Sequence, residues 1–451
     1  VDSRQQSGNT ASLKFIVLSL LGVFLFMVPI NIEGDLTIPV ALLAEMLGGF
    51  LAPILPELVT LTIFVSVAGS ILVKVFPSFS EKAKNSETIQ SLFVVSPFWL
   101  AVRLIGLIFA VLVLFEVGPE AVIAEFTGGL MLHDLLTLLF TIFLFAGLFL
   151  PLLLNFGLLE LFGTLLNPIM RPLFKLPGRS SIDSLTSWLG DGTIGVLLTN
   201  QQYEQGFYTK REAAVIGTTF SVVSITFSIY ILTTLELTHL VIPYYLTIVL
   251  AGFVAALIMP RIPPLSLKED TYYEEAPETQ VSEVENSQSA LKAGWTMALK
   301  RASQSRVSFV FTGGVKNVLG MWLGVLPIVM AFGTAAVIVA EFTPFFSIIG
   351  APFIPLLQLM NVPEASAAAE TMLIGFADML LPAIIGGDIE SEMTRFIIGC
   401  LSVSQLIYLS EVGGVLLASK LPVRFIDLVI IFLQRTIITL PVIVLVAHMI
   451  F

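Results

Sequence analysis

Two hydrophobic stretches of this chain are interrupted in the middle, one in each half, and the interruptions limit what it can fold into. The first reads Leu189-Gly190-Asp191-Gly192-Thr193, between apolar arms too short to cross a bilayer. The second reads Gly375-Phe376-Ala377-Asp378, again between short arms and followed by Pro382. A bilayer core is about 30 Å thick and takes roughly 20 helical residues to cross. Residues 181–190 supply only about 15 Å at the helical rise. Paired interruptions at matching places in two halves point to the binding site of a secondary transporter.

The remaining chain reads as polytopic. Apolar residues make up 56% of it and charged residues 12%, which excludes a soluble globular domain. Spans are expected near 15–31, 57–76, 95–115, 134–155, 210–233, 239–260, 319–341, 396–418 and 425–450. Residues 15–31 read as a retained helix, because no small-residue cleavage site follows and further spans do. Thr37 to Gly49 reads as a short outer-face helix, with Pro53 and Pro56 breaking the chain before the next crossing.

With the N-terminus in the cytoplasm, nearly every basic residue falls on the cytoplasmic side. Lys74, Lys82 and Lys84 follow the second span, and Arg171, Lys175, Arg179, Lys210 and Arg211 bracket the first interruption. Arg261, Lys268, Lys292, Lys300, Arg301, Arg306 and Lys316 surround a central loop, and Lys420 and Arg424 precede the last span. Arg395 alone falls outside, while Arg103 and Arg435 lie within spans. This bias sets orientation, and the net charge of −11 does not oppose it, since acidic residues count little.

Residues 156–176 read as an amphipathic surface helix, or as a span disturbed by Pro168 and Pro172. Glu269 to Ser287 is acidic and poor in apolar residues, a solvated linker between the halves. Ser289 to Arg306 resembles another interfacial helix anchored by Trp295. Each half then offers a span (134–155; 319–341), a surface helix with proline (156–176; 344–360) and an interrupted segment (181–204; 364–388). A polar span (210–233; 396–418) and a final span (239–260; 425–450) follow in each. The charge bias makes the two interrupted segments enter from opposite sides, an inverted repeat. The expected fold is an all-α polytopic membrane protein with an inverted repeat, two re-entrant helical hairpins and interfacial helices. Its divisions are N-terminal transmembrane helices over 1–125, a first repeat over 130–262, the linker with its helix over 263–306, and a second repeat over 307–451.

The interruptions are where chemistry can sit. Unpaired peptide groups at mid-membrane are tolerated only against a cavity or ligand. Gly190 and Gly192 permit a tight reversal, and Asp191 adds a carboxylate where charge is expensive; the plain alternative is a surface turn, since Asp-Gly is a common turn dipeptide. Gly217, Ser221, Ser224 and Ser228 recur at helical spacing, with Thr218 and Thr219 beside them. Their hydroxyls can ligate Na⁺, bind solute, or merely bond the preceding turn. The expected solute contacts are Trp188, Gly190, Gly192, Thr193, Ser221, Ser224, Gly375, Asp378, Ser404 and Tyr408, and the expected ion contacts are Asp191, Thr218 and Ser221. Ser404, Tyr408 and Glu411 fall on one face of the continuous span expected there. Glu370, Glu411 and Arg435 read as structural or coupling charges, either ion-paired for stability or facing solute.

Cys400 stands alone and His133, His239 and His448 are far apart, so disulfide, zinc and haem chemistry are not expected. No nucleophile–base pair marks an enzyme. No cofactor is expected beyond a coupling ion, Na⁺ or H⁺, and no nucleic acid partner.

The string Arg171-Pro172-Leu173-Phe174-Lys175-Leu176-Pro177-Gly178-Arg179-Ser180-Ser181, with Ser187-Trp188-Leu189-Gly190-Asp191-Gly192-Thr193, resembles the YjiH family of bacterial inner-membrane proteins. Gln202-Tyr203-Glu204 and Tyr208-Thr209-Lys210-Arg211-Glu212-Ala213-Ala214 extend the resemblance, which covers the whole chain. That family belongs to the nucleoside recognition, or Gate, group. The resemblance implies a multi-pass protein of the bacterial inner membrane. The segment order is also similar to concentrative nucleoside transporters, which implies two hairpins and two polar helices around a solute, with Na⁺ near the first hairpin. Their Asn-Glu-Phe-Val-Ala-Tyr motif is not in this sequence. Two functions stay open: a Na⁺- or H⁺-coupled transporter of a small polar solute (amino acid, dipeptide or nucleoside), and a non-transporting gate or scaffold. The second implies a partner chain from the Gate group; a homo-oligomer is the other open assembly.

Overall fold

Proline and serine set many of the helix starts, and apolar runs set the lengths. In the computed structural model, residues 2–28, 30–32, 35–189, 192–220, 223, 225–273 and 290–451 are described. In chain order the first helices are α1 (Asp2–Met27), α2 (Pro39–Leu51), α3 (Leu55–Val75), α4 (Pro77–Lys84), α5 (Glu87–Phe93), α6 (Pro97–Leu114), α7 (Glu120–Ile123) and α8 (Leu136–Leu154). Next come α9 (Leu158–Phe174), α10 (Ser180–Leu189), α11 (Gly192–Glu204), α12 (Lys210–Val215), α13 (Ile225–Thr234), α14 (Val241–Ile258), α15 (Ala290–Gln304) and α16 (Ser308–Gly324). The last are α17 (Leu326–Phe342), α18 (Phe345–Gly350), α19 (Phe353–Leu359), α20 (Ala365–Ile374), α21 (Leu381–Gly386), α22 (Glu392–Ser404), α23 (Val412–Ala418) and α24 (Phe425–Ile450). Among the described residues, one short antiparallel pair departs from the helical pattern: β1 (Ile30–Ile32) and β2 (Asp35–Thr37), with Ile30 opposite Thr37. Six helical stretches among the described residues are long and apolar enough to cross a membrane. They are Pro39–Val75, Pro97–Leu114, Glu120–Leu154, Thr238–Leu267, Ser308–Phe342 and Phe425–Ile450. The chain is an all-α multi-pass membrane protein.

Packing divides the chain into two compact units. The first holds Val1–Val28, Ile38–Leu158 and Thr296–Ile338. Its centre is α8 against α16, where Gly147 meets Val318 and Gly314 meets the Leu148 backbone. Small residues let helix backbones approach closely where lipid supplies no hydrophobic drive. Trp322 stacks on Phe140 at 4.2 Å and donates its Nε1–H to the Phe140 carbonyl at 2.9 Å. The short helix expected over 37–49 is α2, which packs along α8. Buried Arg103 donates to Ser70 Oγ at 3.0 Å and to the Leu92 carbonyl at 3.1 Å.

The second unit holds Pro29–Thr37, Leu159–Trp295 and Val339–Phe451, and so both interruptions. Helices α10 and α11 pack as one helical hairpin, and α20 and α21 as another. The polar spans expected over 210–233 and 396–418 are not continuous. After α12, whose start is fixed by a reciprocal Thr209–Glu212 capping box, Ile216–Phe220 widens into π-helical turns, and α13 begins only at Ile225. Likewise α22 stops at Ser404 and α23 starts at Val412. Between them Leu406 is left-handed (φ 64°), so no helix can run through. Ser404, Tyr408 and Glu411 therefore do not share a helical face.

Candidate functional site

Breaking a helix away from water leaves carbonyl and amide groups that need partners. At the second break the partners come from the second hairpin. Leu409 N–H donates to Phe376 O at 2.9 Å and Ser410 N–H to Ala377 O at 3.0 Å, so backbone bonds hold segment 405–411 against 375–380. Gln405 donates its amide to Met372 O at 2.7 Å and to Thr436 Oγ1 at 2.9 Å, tying the break to α20 and α24. Tyr408, fully buried, donates to Ser402 O at 2.6 Å and accepts from Leu406 N–H at 3.1 Å. Asp378 is buried and its Oδ1 accepts the Leu380 N–H at 2.8 Å, closing the hairpin tip.

Arg435 on α24 connects the two breaks. Its Nε and Nη2 donate to Ser404 O at 2.9 and 2.8 Å, and its Nη1 donates to Thr219 O at 3.2 Å. One carbonyl ends α22 and the other lies in the π-helical turns after α12. Arg435 is 1% exposed and makes no ion pair with a carboxylate among the described residues. The negative end of a helix dipole partly offsets such a charge. Beside it lies a cavity of about 390 Å³ whose polar wall is Ser181, Ser184, Thr219, Ser404 and Arg435. The rest of the wall is apolar, with Phe174, Phe220 and Phe253 among it.

A second buried polar cluster lies at the base of the first hairpin. Asp183 accepts from Thr199 Oγ1 at 2.9 Å, Gln202 Nε2 at 2.5 Å and Tyr208 OH at 3.1 Å. Gln202 Oε1 accepts Arg179 Nε at 2.8 Å, and the Arg179 guanidinium lies 3.6 Å over the Phe207 ring. Burial pushes the Asp183 carboxyl up to about 7, against the pull of its three donors and Arg179. Helix α10 is not among the candidate spans.

A family model for Gate, nucleoside recognition, matches residues 136–238, from α8 to the start of the turn before α14. An uncharacterized protein of Alkalihalophilus pseudofirmus is 51% identical over 98% of this chain and 96% of its own length. The chain belongs to the Gate family. No solved structure matches it. The strings that carry the family resemblance are now explained in place: Arg179, Gln202 and Tyr208 build the Asp183 cluster. Arg171 pairs with the capping Glu212 at 2.7 Å, and Asn167 Oδ1 accepts Gly178 N–H at 3.2 Å.

The residues expected at the site meet different outcomes. Gly190, Asp191, Ser221 and Ser224 lie outside the described residues, as does the side chain of Trp188. Gly192 and Thr193 open α11 and are buried. Thr218 is buried, its hydroxyl donating to Ala214 O at 2.6 Å. Ser404 donates to Cys400 O at 2.6 Å, and its carbonyl, not its hydroxyl, serves Arg435. Gly375 ends α20 under the Gln405 side chain. Glu411 is buried at the start of α23, and Glu370 is exposed on α20. Asp183 carries no sequence signal of its own, while Thr219 and Gln405, which lie beside the expected polar faces in the sequence, contribute a carbonyl to Arg435 and an amide to Met372 O and Thr436. The acidic linker begins bound: Glu269 and Asp270 reach Lys210 at 2.7 Å and Arg211 at 3.7 Å, and residues 274–289 lie outside the description.

Proposed function

We propose that this Gate-family protein is a secondary active transporter of a small polar solute, an amino acid, dipeptide or nucleoside, coupled to Na⁺ or H⁺. The observation that carries the reading is the Arg435 clamp, which joins a broken helix of each half beside a cavity in the unit that holds both hairpins. Interrupted helices whose loose backbone groups line a cavity are the usual form of a midplane transport site. On this reading the halves form an inverted repeat and the hairpins are re-entrant, entering from opposite faces. The N-terminus is cytoplasmic in the bacterial inner membrane, and alternating access follows from rocking around the site. The solute sits among Gly190 to Thr193, the 217–224 segment, Gly375 to Asp378 and the 404–408 break, and the coupling ion at Asp191 with Thr218 and Ser221.

The test is uptake by proteoliposomes of the purified chain under an imposed Na⁺ or proton gradient, with amino acids, dipeptides and nucleosides as radiolabelled solutes. Gradient-dependent accumulation that falls in Asp191→Asn and Asp378→Asn supports the reading. Unchanged uptake and coupling in both variants would remove those carboxylates from the mechanism. Activity only after adding a second Gate-group membrane protein would favour the gate or scaffold reading.

A further inference from the structure

We infer that the cavity beside Arg435 is a binding site for an organic anion: a carboxylate carried on a compact apolar or aromatic body. The inference deepens the transport reading by naming a solute class for the same unit.

The free N–H groups of Arg435 are the first pointer. A guanidinium has five N–H groups in a planar fork. Ser404 O and Thr219 O take three of them, leaving one on each terminal nitrogen of Arg435. Among the described residues, no carboxylate side chain lines the cavity. A buried cation held only by carbonyl dipoles keeps its full charge, and desolvation costs several kcal/mol per ion unless an opposite charge arrives. An anion in the cavity supplies that charge without altering the two carbonyl bonds that hold the breaks.

Thr219 gives a second pointer. It is 3% exposed, lines the cavity, and its Oγ1 has no hydrogen-bond partner among the described residues. Buried hydroxyls are normally satisfied, so rotation of this closed-off hydroxyl toward the cavity would give it a partner in a bound ligand. Thr219 thus adds a donor next to the fork, a combination suited to a carboxylate. The apolar part of the wall limits the rest of the ligand. Phe174, Phe220, Ile248 and Phe253 offer only apolar surface, which rejects a solute polar all round, such as a free sugar. A volume near 390 Å³ suits a small molecule.

Gly252 makes the site testable without touching the clamp. It lines the cavity, and a Cβ built on it meets nothing within 4 Å. Gly252→Leu therefore adds apolar bulk at the cavity wall without a clash at its Cβ.

The experiment measures the thermal unfolding midpoint of the full chain in uncharged detergent with matched ligands. These are 3-phenylpropionate against 3-phenylpropanamide, and phosphatidylglycerol against phosphatidylcholine in mixed micelles. The expected result is a midpoint raised by several degrees with the acid and unchanged with the amide. Gly252→Leu abolishes the shift while keeping its unliganded midpoint. Thr219→Val, which keeps shape and removes the hydroxyl, weakens the acid about tenfold, equivalent to about 1.4 kcal/mol. Equal shifts by acid and amide, or no shift by the acid, would overturn the assignment. A shift by phosphatidylglycerol without one by the acid would also overturn it, in favour of a lipid. Uptake and binding are separable: proteoliposomes that accumulate a neutral nucleoside while the acid fails to bind leave transport standing and end the anion site. Acid binding without uptake of any solute does the reverse.

Discussion

The Arg435 guanidinium grips the Ser404 carbonyl with two N–H groups, at 2.9 and 2.8 Å, where α22 ends. The same side chain reaches Thr219 O at 3.2 Å in the first broken helix. A charge that looks like an ion-pair partner in sequence is in fact the group that makes two helix breaks affordable. The proposed site and the stability of the breaks therefore share one residue.

Arg435→Ala leaves both carbonyls without their donor. An orphaned buried polar group costs about 1–3 kcal/mol, so a loss of roughly 2–6 kcal/mol is expected for the two carbonyls. Arg435→Lys recovers part of it, because one ammonium cannot reproduce the planar fork. The order of unfolding midpoints, wild type above Lys above Ala, is the check; equal midpoints would mean the clamp holds nothing.

Asp183 gives stability a pH dependence of defined sign. Its carboxyl is raised from 3.8 to about 7 by burial. Between those values the folded state holds a proton that the unfolded state has released, so this contribution is complete below about pH 4 and lost as pH rises through 7. At 1.36 kcal/mol per unit, the change is on the order of 4 kcal/mol. Arg179, acting from beyond Gln202, and Tyr208 are the ionisable groups nearest it. Denaturation in detergent at pH 5, 6, 7 and 8 reads the effect. Asp183→Asn should flatten that slope, although its amide can no longer accept from all three donors. A slope that persists in the variant assigns it to another group.

The α8–α16 contact in the first unit carries its own control. A Cβ at Gly314 meets Leu148 O at 2.6 Å and Cα at 2.8 Å, closer than real Cβ atoms approach. Gly314→Ala should cost about 1–3 kcal/mol through forced separation of the helices. Gly320 lies on the same helix with open space around it, and Gly320→Ala should be neutral or gain up to about 1 kcal/mol from helix propensity. Comparable losses at both positions would contradict the packing.

Segment order was readable from the sequence because glycine, proline and apolar length are local signals. The hairpin helices α10, α11, α20 and α21 lie where short apolar arms flank Gly190 to Gly192 and Gly375 to Asp378. The break at 405–411 was not readable. Residues 396–418 carry apolar periodicity with no proline and no glycine between Gly399 and Gly413, so local preference favours a helix. Contacts from elsewhere override it: the Phe376 and Ala377 carbonyls, and Arg435 on Ser404. Asp183 escaped notice for a similar reason, since its partners lie 16, 19 and 25 residues away. Ser404 was selected for its hydroxyl, whereas its carbonyl does the binding, and a residue's backbone role has no signature in its side chain.

Tyr408 tests how the second break is held. Its hydroxyl donates to Ser402 O at 2.6 Å and accepts from Leu406 N–H at 3.1 Å, so one oxygen bridges the carbonyl and amide that an unbroken helix would bond directly. Tyr408→Phe keeps the ring and removes both bonds, at a cost of about 1–3 kcal/mol. The loss should be local, because Leu409 and Ser410 keep their bonds to the second hairpin. Hydrogen exchange should therefore quicken in the peptide covering 405–411, with Leu406 most affected, while peptides from the middle of α24 stay protected. Uniform acceleration throughout the second unit would show instead that Tyr408 holds the whole unit together.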